Sequence, residues 1–421
     1  MRRALAITLA LFAVVYAIAR VRYAPPPAAL ADASGERFSA GRARLVQQAI
    51  VGDGATRHVG SPGNARARGV IAAELTRLGW TVEEQRAFAC SYHGMCAPVV
   101  NVVGRLPGRE PSIPGVLLSA HYDSVLVSPG ASDDGVGAAT VLEAARALAE
   151  GPRPRRTVVA LLSDAEESGL LGMEAFVRDH ALARSIRTTV NVDARGSRGP
   201  SFMFETSRGN SGLVSAMAAH LPRPVTTSLF YEIYKRMPND TDFSISKTIA
   251  SGVNFANTAG IESYHTPLDD LTSADPGTLQ HHGDHALAMI RAFAEDDGAV
   301  RADAASDAVW FDVMALGIVH WPASWSLLLA LVALALVVGH AVRARAFDAG
   351  LASFLSIAAG IVAALLVGLG LRAGGALPAP WVAEPLPALL ALHAAAAAAT
   401  LLALQRLAAR STPRALWAGT W

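Results

Sequence analysis

GVLLSAHYD, at residues 115–123, is an apolar run that ends in a histidine and an aspartate. TVVALLSDAEE (157–167) and TTVNVD (188–193) repeat the pattern and end in carboxylates. Compact apolar runs of this length are typical of strands that are buried on both faces. Three of them in succession, with helical stretches between, predict an α/β sandwich with a mostly parallel central sheet.

Stretches with helical periodicity lie around these runs. The predicted helices cover residues 42–51, 65–78, 137–149 and 170–177, and one further short strand covers residues 99–104. In an open α/β sheet, binding sites form beyond the carboxyl ends of the strands. His121, Glu166 and Asp193 all fall at such ends, so we expect their side chains to meet.

Six side chains along this part of the chain are candidate metal ligands. They are two histidines and four carboxylates: His121, Asp133, Glu166, Glu167, Asp193 and His265. Mixed histidine and carboxylate ligation suits zinc or a similar divalent ion, and shared carboxylates suit a hydrolytic site with two metals. Asp123 is placed to hold the other imidazole nitrogen of His121. Each residue alone also fits an ordinary role, such as a helix N-cap at Asp133 or Asp134, so the hypothesis depends on the whole set.

The two ends of the chain carry most of its apolar excess. Hydrophobic residues make up 52% of the 421 and charged residues 17%. A net charge of +1 without a dense Lys/Arg stripe argues against nucleic-acid binding. Residues 1–22 are predicted to be an uncleaved transmembrane signal anchor, with cleavage after Ala31 as the alternative. Residues 35–300, between the two apolar ends, are the predicted soluble domain. Residues 309–421 are the predicted membrane domain, with three spans at 324–342, 351–371 and 386–404.

Arginine positions predict which side of the membrane the soluble domain faces. Arg343 and Arg345 lie in the loop after the first C-terminal span, and three arginines follow the last span. Because cationic flanks stay in the cytoplasm, we expect the soluble domain in the periplasm or in an equivalent lumen. Cys90 and Cys96 would then meet an oxidising compartment and form a disulfide. A metal pair with nearby His93 is the alternative.

Several motifs, taken in chain order, resemble one known family. HYDSVLVSPGASDDGVGAA (121–139), LLSDAEESGLLG (161–172), NVDARGS (191–197) and YHTPLDD (264–270) are similar to motifs of the co-catalytic zinc aminopeptidases, family twenty-eight of the metallopeptidases. The resemblance covers about residues 40–295. NDTDFSI (239–245), the junction VWFDVMALGIVHWPASWS (309–326) and the membrane segments further resemble its endoplasmic-reticulum and vacuolar-membrane subgroup.

The resemblance implies the three-layer sandwich of the zinc exopeptidases, with two zinc ions (Zn2+) per chain. Five side chains would hold the ions: Asp133 shared by both, His121 and Asp193 on one, and Glu167 and His265 on the other. Glu166 would be the general base and then the proton donor to the leaving amine. Tyr264 would donate a hydrogen bond to the oxyanion, or simply pack beside the neighbouring ligand.

The resemblance also implies that Asp134 follows Asp133 through a cis peptide bond, and that Asp240 and Asp242 lie near the pocket. The implied activity is that of a membrane-anchored aminopeptidase acting on peptides. A carboxypeptidase and a glutaminyl-cyclase-like enzyme with one zinc are alternatives on the same fold, and a binding or transport protein that kept the scaffold is a third. The presence of Glu166 argues against the last, since a pure receptor needs no general base.

Overall fold

The computed structural model describes residues 2–92, 94–295, 306–343, 347–375 and 386–407. The chain forms two compact units: Val14–Ala323 is one, and the two ends of the chain make up the other. The features predicted at His93 and Arg345, and those after residue 407, lie outside the described residues.

Helices and strands alternate through the first unit, and the second is helical. The helices are α1 (Arg2–Arg22), α2 (Ala40–Val51), α3 (Pro62–Arg77), α4 (Gly135–Glu150), α5 (Leu171–Asp179), α6 (Ser211–His220), α7 (Ser228–Tyr234), α8 (Asp242–Ser246), α9 (Pro276–Glu295), α10 (Ser326–Arg343), α11 (Phe347–Ala373) and α12 (Leu386–Leu407). The strands are β1 (Thr81–Cys90), β2 (Cys96–Leu106), β3 (Gly115–His121), β4 (Val158–Ser163), β5 (Ile186–Val192), β6 (Phe202–Thr206), β7 (Ser251–Ala256), β8 (Ala308–Asp312) and β9 (Ile318–Pro322).

Seven strands form the central sheet, in the order β1-β2-β4-β3-β5-β7-β6. Its four inner strands, β4, β3, β5 and β7, are parallel. The three quoted apolar runs are the strands β3, β4 and β5, so the predicted α/β fold with a parallel centre is confirmed. The outer strands β1, β2 and β6 pair antiparallel and make the whole sheet mixed.

Helices cover both faces of this sheet, as the continuous apolar strands require. Val116 and Leu118 of β3 pack in the same cluster as residues of α4 and α9. Leu117, between them in sequence, packs on the other face with Phe176 of α5. Successive side chains of a strand point to opposite faces, so the structure has three layers. Every residue of β3 and β4 is buried. The packed strands therefore hold the polar side chains at their carboxyl ends in a defined position.

The first unit extends further than the boundaries expected from sequence. It takes in the β8–β9 hairpin, which the predicted domain boundary assigned to the membrane region. The physical reason is Trp310, which is 1% exposed and packs in the main core. At the other end of the sheet, Cys90 and Cys96 are joined by a disulfide across the β1–β2 turn.

The second unit contains long apolar helices. Within the described residues, Ala323–His340 and Phe354–Ala373 are long and apolar enough to cross a membrane, while the apolar stretch Leu389–Ala403 of α12 is shorter. α11 and α12 pack together, and the backbone of Ala396 with the side chain of Thr400 leaves no room for a side chain at Gly360. Membrane insertion of these helices, and of α1, stays a prediction.

Candidate metal centre and active site

The structure brings all six candidate ligands to one edge of the sheet. β3 ends at His121, the turn after β4 carries Glu166 and Glu167, and Asp193 directly follows β5. The loop that leaves β3 returns at the start of α4 and brings Asp133 back to this edge, where the loop before α9 adds His265. The topology therefore places together residues that lie far apart in sequence.

The carboxylate of Asp133 lies between two separate groups of ligands. Its Oδ1 is 3.2 Å from Nε2 of His121, and its Oδ2 is 3.0 Å from Nε2 of His265. Asp193 Oδ1 lies 3.8 Å from the first imidazole nitrogen, whereas Glu167 Oε2 lies 3.0 Å from the second. Each oxygen of one carboxylate thus faces a different imidazole, and each imidazole has a second carboxylate beside it.

Three atoms of this cluster are buried and lack a hydrogen-bond partner among the described residues. They are Oδ2 of Asp133, Oε1 of Glu167 and Nε2 of His265. Burying polar atoms without partners costs about 1–3 kcal/mol each, yet these atoms converge at ion-pair distances. Ligand atoms of His121, Asp133 and Glu167 also lie within 4.8 Å of one another. A divalent cation would satisfy all of these atoms, and the mixed nitrogen and oxygen donor set fits zinc.

The ionisation of the cluster also favours a cation. Burial and the nearby charge of Asp133 raise the pKa of Glu167 to about 8. Burial, and then the same neighbouring charge, raises the pKa of Asp193 to about 6. The pKa of His265 is raised to about 10, because contacts with Asp133 and Glu167 outweigh the lowering effect of burial. Without a cation, Glu167 and His265 hold protons at neutral pH, so binding a metal should release them.

Asp123 connects the two sides of the site. Its Oδ1 lies 3.2 Å from Nδ1 of His121, which fixes the ring with Nε2 toward Asp133. The same carboxylate accepts hydrogen bonds from the backbone N–H of Glu166 at 3.0 Å and of Glu167 at 3.2 Å. One buried side chain therefore orients an imidazole and holds the turn that carries both glutamates.

Asp133 and Asp134 have different roles although they are adjacent. Asp134 is the N-cap of α4: its Oδ1 accepts a hydrogen bond from Gly137 N at 2.9 Å, and its Oδ2 accepts one from His121 N at 3.3 Å. A side chain at Gly137 would collide with this carboxylate. Both Asp134 oxygens are engaged with backbone donors, so it supports the site while Asp133 faces the imidazoles. The peptide bond between the two aspartates is cis.

Glu166 lies beside the ligand groups with its carboxylate turned to the cleft. Its Oε2 is 4.0 Å from Nε2 of His121, its side chain is 10% exposed, and burial raises its pKa. Ala165, directly before it, has φ 56°, and His265 has φ 55°. Non-glycine residues in this left-handed region cost on the order of 1–3 kcal/mol and cluster at functional sites.

Tyr264 packs against His265, the next residue in the sequence. Its ring stacks on that of His265 with centroids 3.8 Å apart, and the guanidinium carbon of Arg195 lies 5.1 Å from its centroid. The packing role considered for Tyr264 is therefore visible in the structure. Its hydrogen bond to an oxyanion stays a prediction.

A cleft of about 730 Å³ opens onto Glu166 and Asp193. One wall is apolar and aromatic, and its residues come from β6 and from α7 with the loop after it: Phe202, Phe204, Phe230, Ile233, Tyr234 and Met237. The cleft thus combines acidic side chains at one end with an apolar wall, an arrangement suited to a substrate that has both a cationic and an apolar group.

Sequence reasoning missed two residues that support the site. Asp269 accepts hydrogen bonds from the backbone N–H of Ser132 at 2.8 Å and of Asp133 at 3.0 Å. Arg57 is wholly buried and donates to the carbonyl oxygens of Tyr122 and Gly130, both at 2.8 Å. Asp269 lies in the quoted motif YHTPLDD and could have been found there. No local pattern marks Arg57.

Asp242 is the residue for which the motif NDTDF predicts a place near the pocket without a definite role. It is 2% exposed, contacts the hydroxyl of Ser163 at the end of β4, and has its pKa raised to about 7, first by burial. Asp240 of the same motif is exposed and accepts a hydrogen bond from Tyr92. The two aspartates therefore differ in what they contact. Asp242 packs beneath the site, and Asp240 lies at the cleft rim.

The part of the chain that carries the candidate ligands matches a known family of peptidases. The model of the Peptidase family M28 matches residues 101–290, and this part of the chain is an M28 domain. The aminopeptidase from Aneurinibacillus sp. strain AM-1 has the same fold, with a TM-score of 0.50 and 15% identity over 63% of this chain and 96% of that chain.

The curated relatives are longer proteins, named as endoplasmic reticulum metallopeptidases or vacuolar membrane proteases. The chain is 30% identical over 336 residues to the putative endoplasmic reticulum metallopeptidase 1-A of Caenorhabditis elegans, covering 73% of this chain and 37% of the relative. It is 32% identical over 231 residues to endoplasmic reticulum metallopeptidase 1 of Mus musculus, covering 53% and 26%. It is 31% identical over 186 residues to the vacuolar membrane protease of Schizosaccharomyces pombe, covering 43% and 22%. The chain thus spans about a quarter to a third of the length of the relatives it matches.

Proposed function

We propose that this chain is a membrane-anchored, zinc-dependent aminopeptidase that binds two zinc ions. The observation that carries the proposal is the position of Asp133, whose two carboxylate oxygens face His121 and His265 separately. One ion would be held by Asp133, His121 and Asp193, and the other by Asp133, Glu167 and His265. When bound, zinc would polarise the scissile carbonyl and lower the pKa of the attacking water.

Glu166 is the group of this chain that moves the proton. Its carboxylate would take a proton from the attacking water as the new C–O bond forms. It would then give that proton to the nitrogen as the C–N bond breaks, so that the amine leaves neutral. Its buried position raises its pKa toward the range in which a carboxylate is an effective base and then an effective acid. Tyr264 would donate a hydrogen bond to the oxygen that becomes negative.

The charge of the cleft supports action at an amino terminus. Glu166 and Asp193 line the cleft at its acidic end, and a protonated α-amine of a peptide would be attracted there. The apolar wall, with Phe202 and Phe230, would receive the first side chain of the substrate. Peptides with a free amino terminus are therefore the proposed substrates.

The proposed location is a membrane, with the peptidase domain in the periplasm or in a lumen. Two helical stretches, Ala323–His340 and Phe354–Ala373, have the length and composition of membrane spans. Arg343 and Arg345 lie between these two stretches in sequence and favour a cytoplasmic position for the loop that joins them. The disulfide between Cys90 and Cys96 is in keeping with an oxidising compartment.

Hydrolysis of amino-acid anilides by the full chain, in detergent with saturating zinc, tests this function. We expect cleavage of anilides that have a free α-amine and none of their N-acetylated counterparts. Release of the last residue from N-acetylated peptides would instead identify a carboxypeptidase. Ammonia released from glutamine peptides without peptide cleavage would identify a cyclase. Turnover of none of these substrates by the zinc-loaded chain would contradict the proposal.

A further inference from the structure

The β8–β9 hairpin exposes large apolar side chains on the surface of the first unit. Phe311 is 40% exposed, Val313 43%, Leu316 69% and Val319 46%. Within residues 308–322 the sequence has a single charged residue, Asp312, apart from a histidine. An apolar group of this size on one short hairpin is characteristic of an interaction surface.

The hairpin is fixed firmly to the domain, so its exposed side chains have a defined position. Trp310 donates from its indole Nε1 to Oγ1 of Thr226 at 2.8 Å, and Asp312 Oδ1 accepts from Thr226 N at 2.9 Å. Thr227 forms a β-bridge with Phe311. These contacts hold the strands, and the turn between them has Met314 and Ala315 at positive φ.

The end of α1 is bonded to the same hairpin. Arg22 donates to the carbonyl oxygens of Met314 at 3.2 Å and Ala315 at 2.9 Å. The hydroxyl of Tyr23 donates to Asp312 Oδ2 at 2.6 Å. In sequence, β9 ends at Pro322 and the apolar stretch Ala323–His340 begins at the next residue. The chain thus enters the domain from one apolar helix and leaves it toward another at a single hairpin.

We propose that this hairpin lies in the lipid interface of the membrane, with Val313 and Leu316 at its tip in contact with acyl chains. The proposal rests on the membrane anchoring in the proposed function. Lipid is the occupant because the end of α1 is bonded to this hairpin and the apolar stretch Ala323–His340 follows it directly in sequence. Two tryptophans, Trp321 and Trp325, also border the start of the second helix in sequence, and tryptophan is enriched at membrane interfaces.

This contact would also set the height of the cleft above the bilayer. α7 begins directly after Thr227, the residue that bridges to β8, and the hydroxyl of Ser228 donates to Trp310 O at 3.2 Å. Phe230 of this short helix lines the cleft. The hairpin therefore links the apolar wall of the active site to the surface that we assign to lipid.

Spin labelling of the full chain in lipid nanodiscs tests the proposal. The sequence has only two cysteines, which form the disulfide, so each introduced cysteine is labelled alone. A nitroxide at Leu316→Cys should collide with dissolved oxygen more often than with a water-soluble nickel chelate. Leu45→Cys, on α2 and 62% exposed, is the matched control and should show the reverse order. Leu331→Cys, in the Ala323–His340 stretch, reports whether that helix is in the bilayer.

The three labels separate failure of the inference from failure of the anchoring. If Leu331→Cys is in lipid while Leu316→Cys behaves like Leu45→Cys, the hairpin is in water and the inference is wrong. If Leu331→Cys is itself in water, the membrane anchoring fails and the inference fails with it. None of the three labelled positions lines the cleft. The hydrolysis of anilides is therefore measured separately, as the test of the proposed peptidase activity.

Discussion

Asp123 accepts the backbone N–H of Glu166 at 3.0 Å with the same oxygen, Oδ1, that lies 3.2 Å from Nδ1 of His121. A side chain that contacts no candidate metal position therefore fixes both an imidazole ligand and the start of the turn that carries the proposed base. The metal centre and the proton-transfer group are thus positioned by one buried carboxylate.

Asp123→Asn should weaken zinc binding. The amide has one acceptor oxygen instead of two. Its NH₂ group would therefore oppose either the backbone N–H of Glu167, or both the imidazole N–H of His121 and the backbone N–H of Glu166. Loss of such a partner of a metal ligand typically lowers metal affinity by roughly 10–100-fold. Competition with a fluorescent zinc chelator measures the change. Asp53→Asn, at an exposed carboxylate, should leave the affinity as in the wild type, and equal affinity in both variants would refute the positioning role.

Glu166→Gln should abolish turnover and keep the zinc. Removing a general base typically lowers the rate by about 10²–10⁴-fold, and this carboxylate is not needed by either ligand group. Glu167→Gln is the matched variant and should lose metal, since Glu167 Oε2 faces His265 at 3.0 Å. Rates on an anilide and zinc content are measured on both proteins. Zinc loss in the first variant with retention in the second would mean that the two roles are exchanged.

Asp269→Asn should destabilise the domain, whereas Asp270→Asn should not. Asp269 is 1% exposed and accepts two backbone N–H groups of the loop that carries Asp133. An amide group facing those donors leaves one unsatisfied, at a cost of about 1–3 kcal/mol. The hydrogen bonds of the Asp270 carboxylate are to Thr272 and Ser273 of its own turn. Thermal unfolding of the two variants compares neighbouring positions, and equal stability would contradict the role of Asp269.

A buried histidine cluster predicts acid sensitivity of the fold. His281, His282 and His285 of α9 surround Ser201, and all three are buried. Burial lowers the pKa of His281 to about 4 and of His282 to about 3, from an ordinary 6.5. Below pH 6.5 the unfolded chain takes up protons that the folded chain refuses. The contribution of each histidine to stability is therefore complete above pH 6.5. It falls by up to about 1.4 kcal/mol per pH unit, down to about pH 4 for His281 and about pH 3 for His282.

His282→Gln should reduce this acid dependence by the share of one histidine. The glutamine can still bond to Ser201 and Asn257, the present partners of the ring. Unfolding of wild type and variant is followed from pH 4 to pH 7, and the difference in slope removes the contribution of the active-site carboxylates. His220→Gln, at an exposed position, is the control. Identical slopes in all three proteins would show that His282 has the same pKa in the folded and the unfolded chain, which contradicts the prediction.

The site could be predicted from sequence where ligands follow strands. His121 and Asp193 were recognisable because each ends an apolar run, and parallel strands bring their carboxyl ends to one edge. The motifs then supplied Asp133 and His265, although only the folded loops show that these two lie 3.0 Å apart.

Other features depend on contacts that no local pattern records. Arg57 lies 65 residues before Tyr122, whose carbonyl it binds, and an isolated arginine in a loop carries no sign of burial. The edge strand β6 and the histidines of α9 were likewise not predicted, because antiparallel edges and buried polar clusters depend on distant partners such as Ser201 and Asn257. The helix N-cap role considered for Asp133 or Asp134 belongs to Asp134, whose two oxygens are bonded to backbone donors.

The most direct test of the central claim is the number of zinc ions bound per chain. Elemental analysis of the full chain after equilibration with saturating zinc and removal of excess metal should give two ions, because Asp133 presents a separate oxygen to each imidazole. Asp133→Ala should lose both, since this carboxylate is shared. One zinc per wild-type chain under the same conditions would contradict the shared-carboxylate site and favour the cyclase-like alternative.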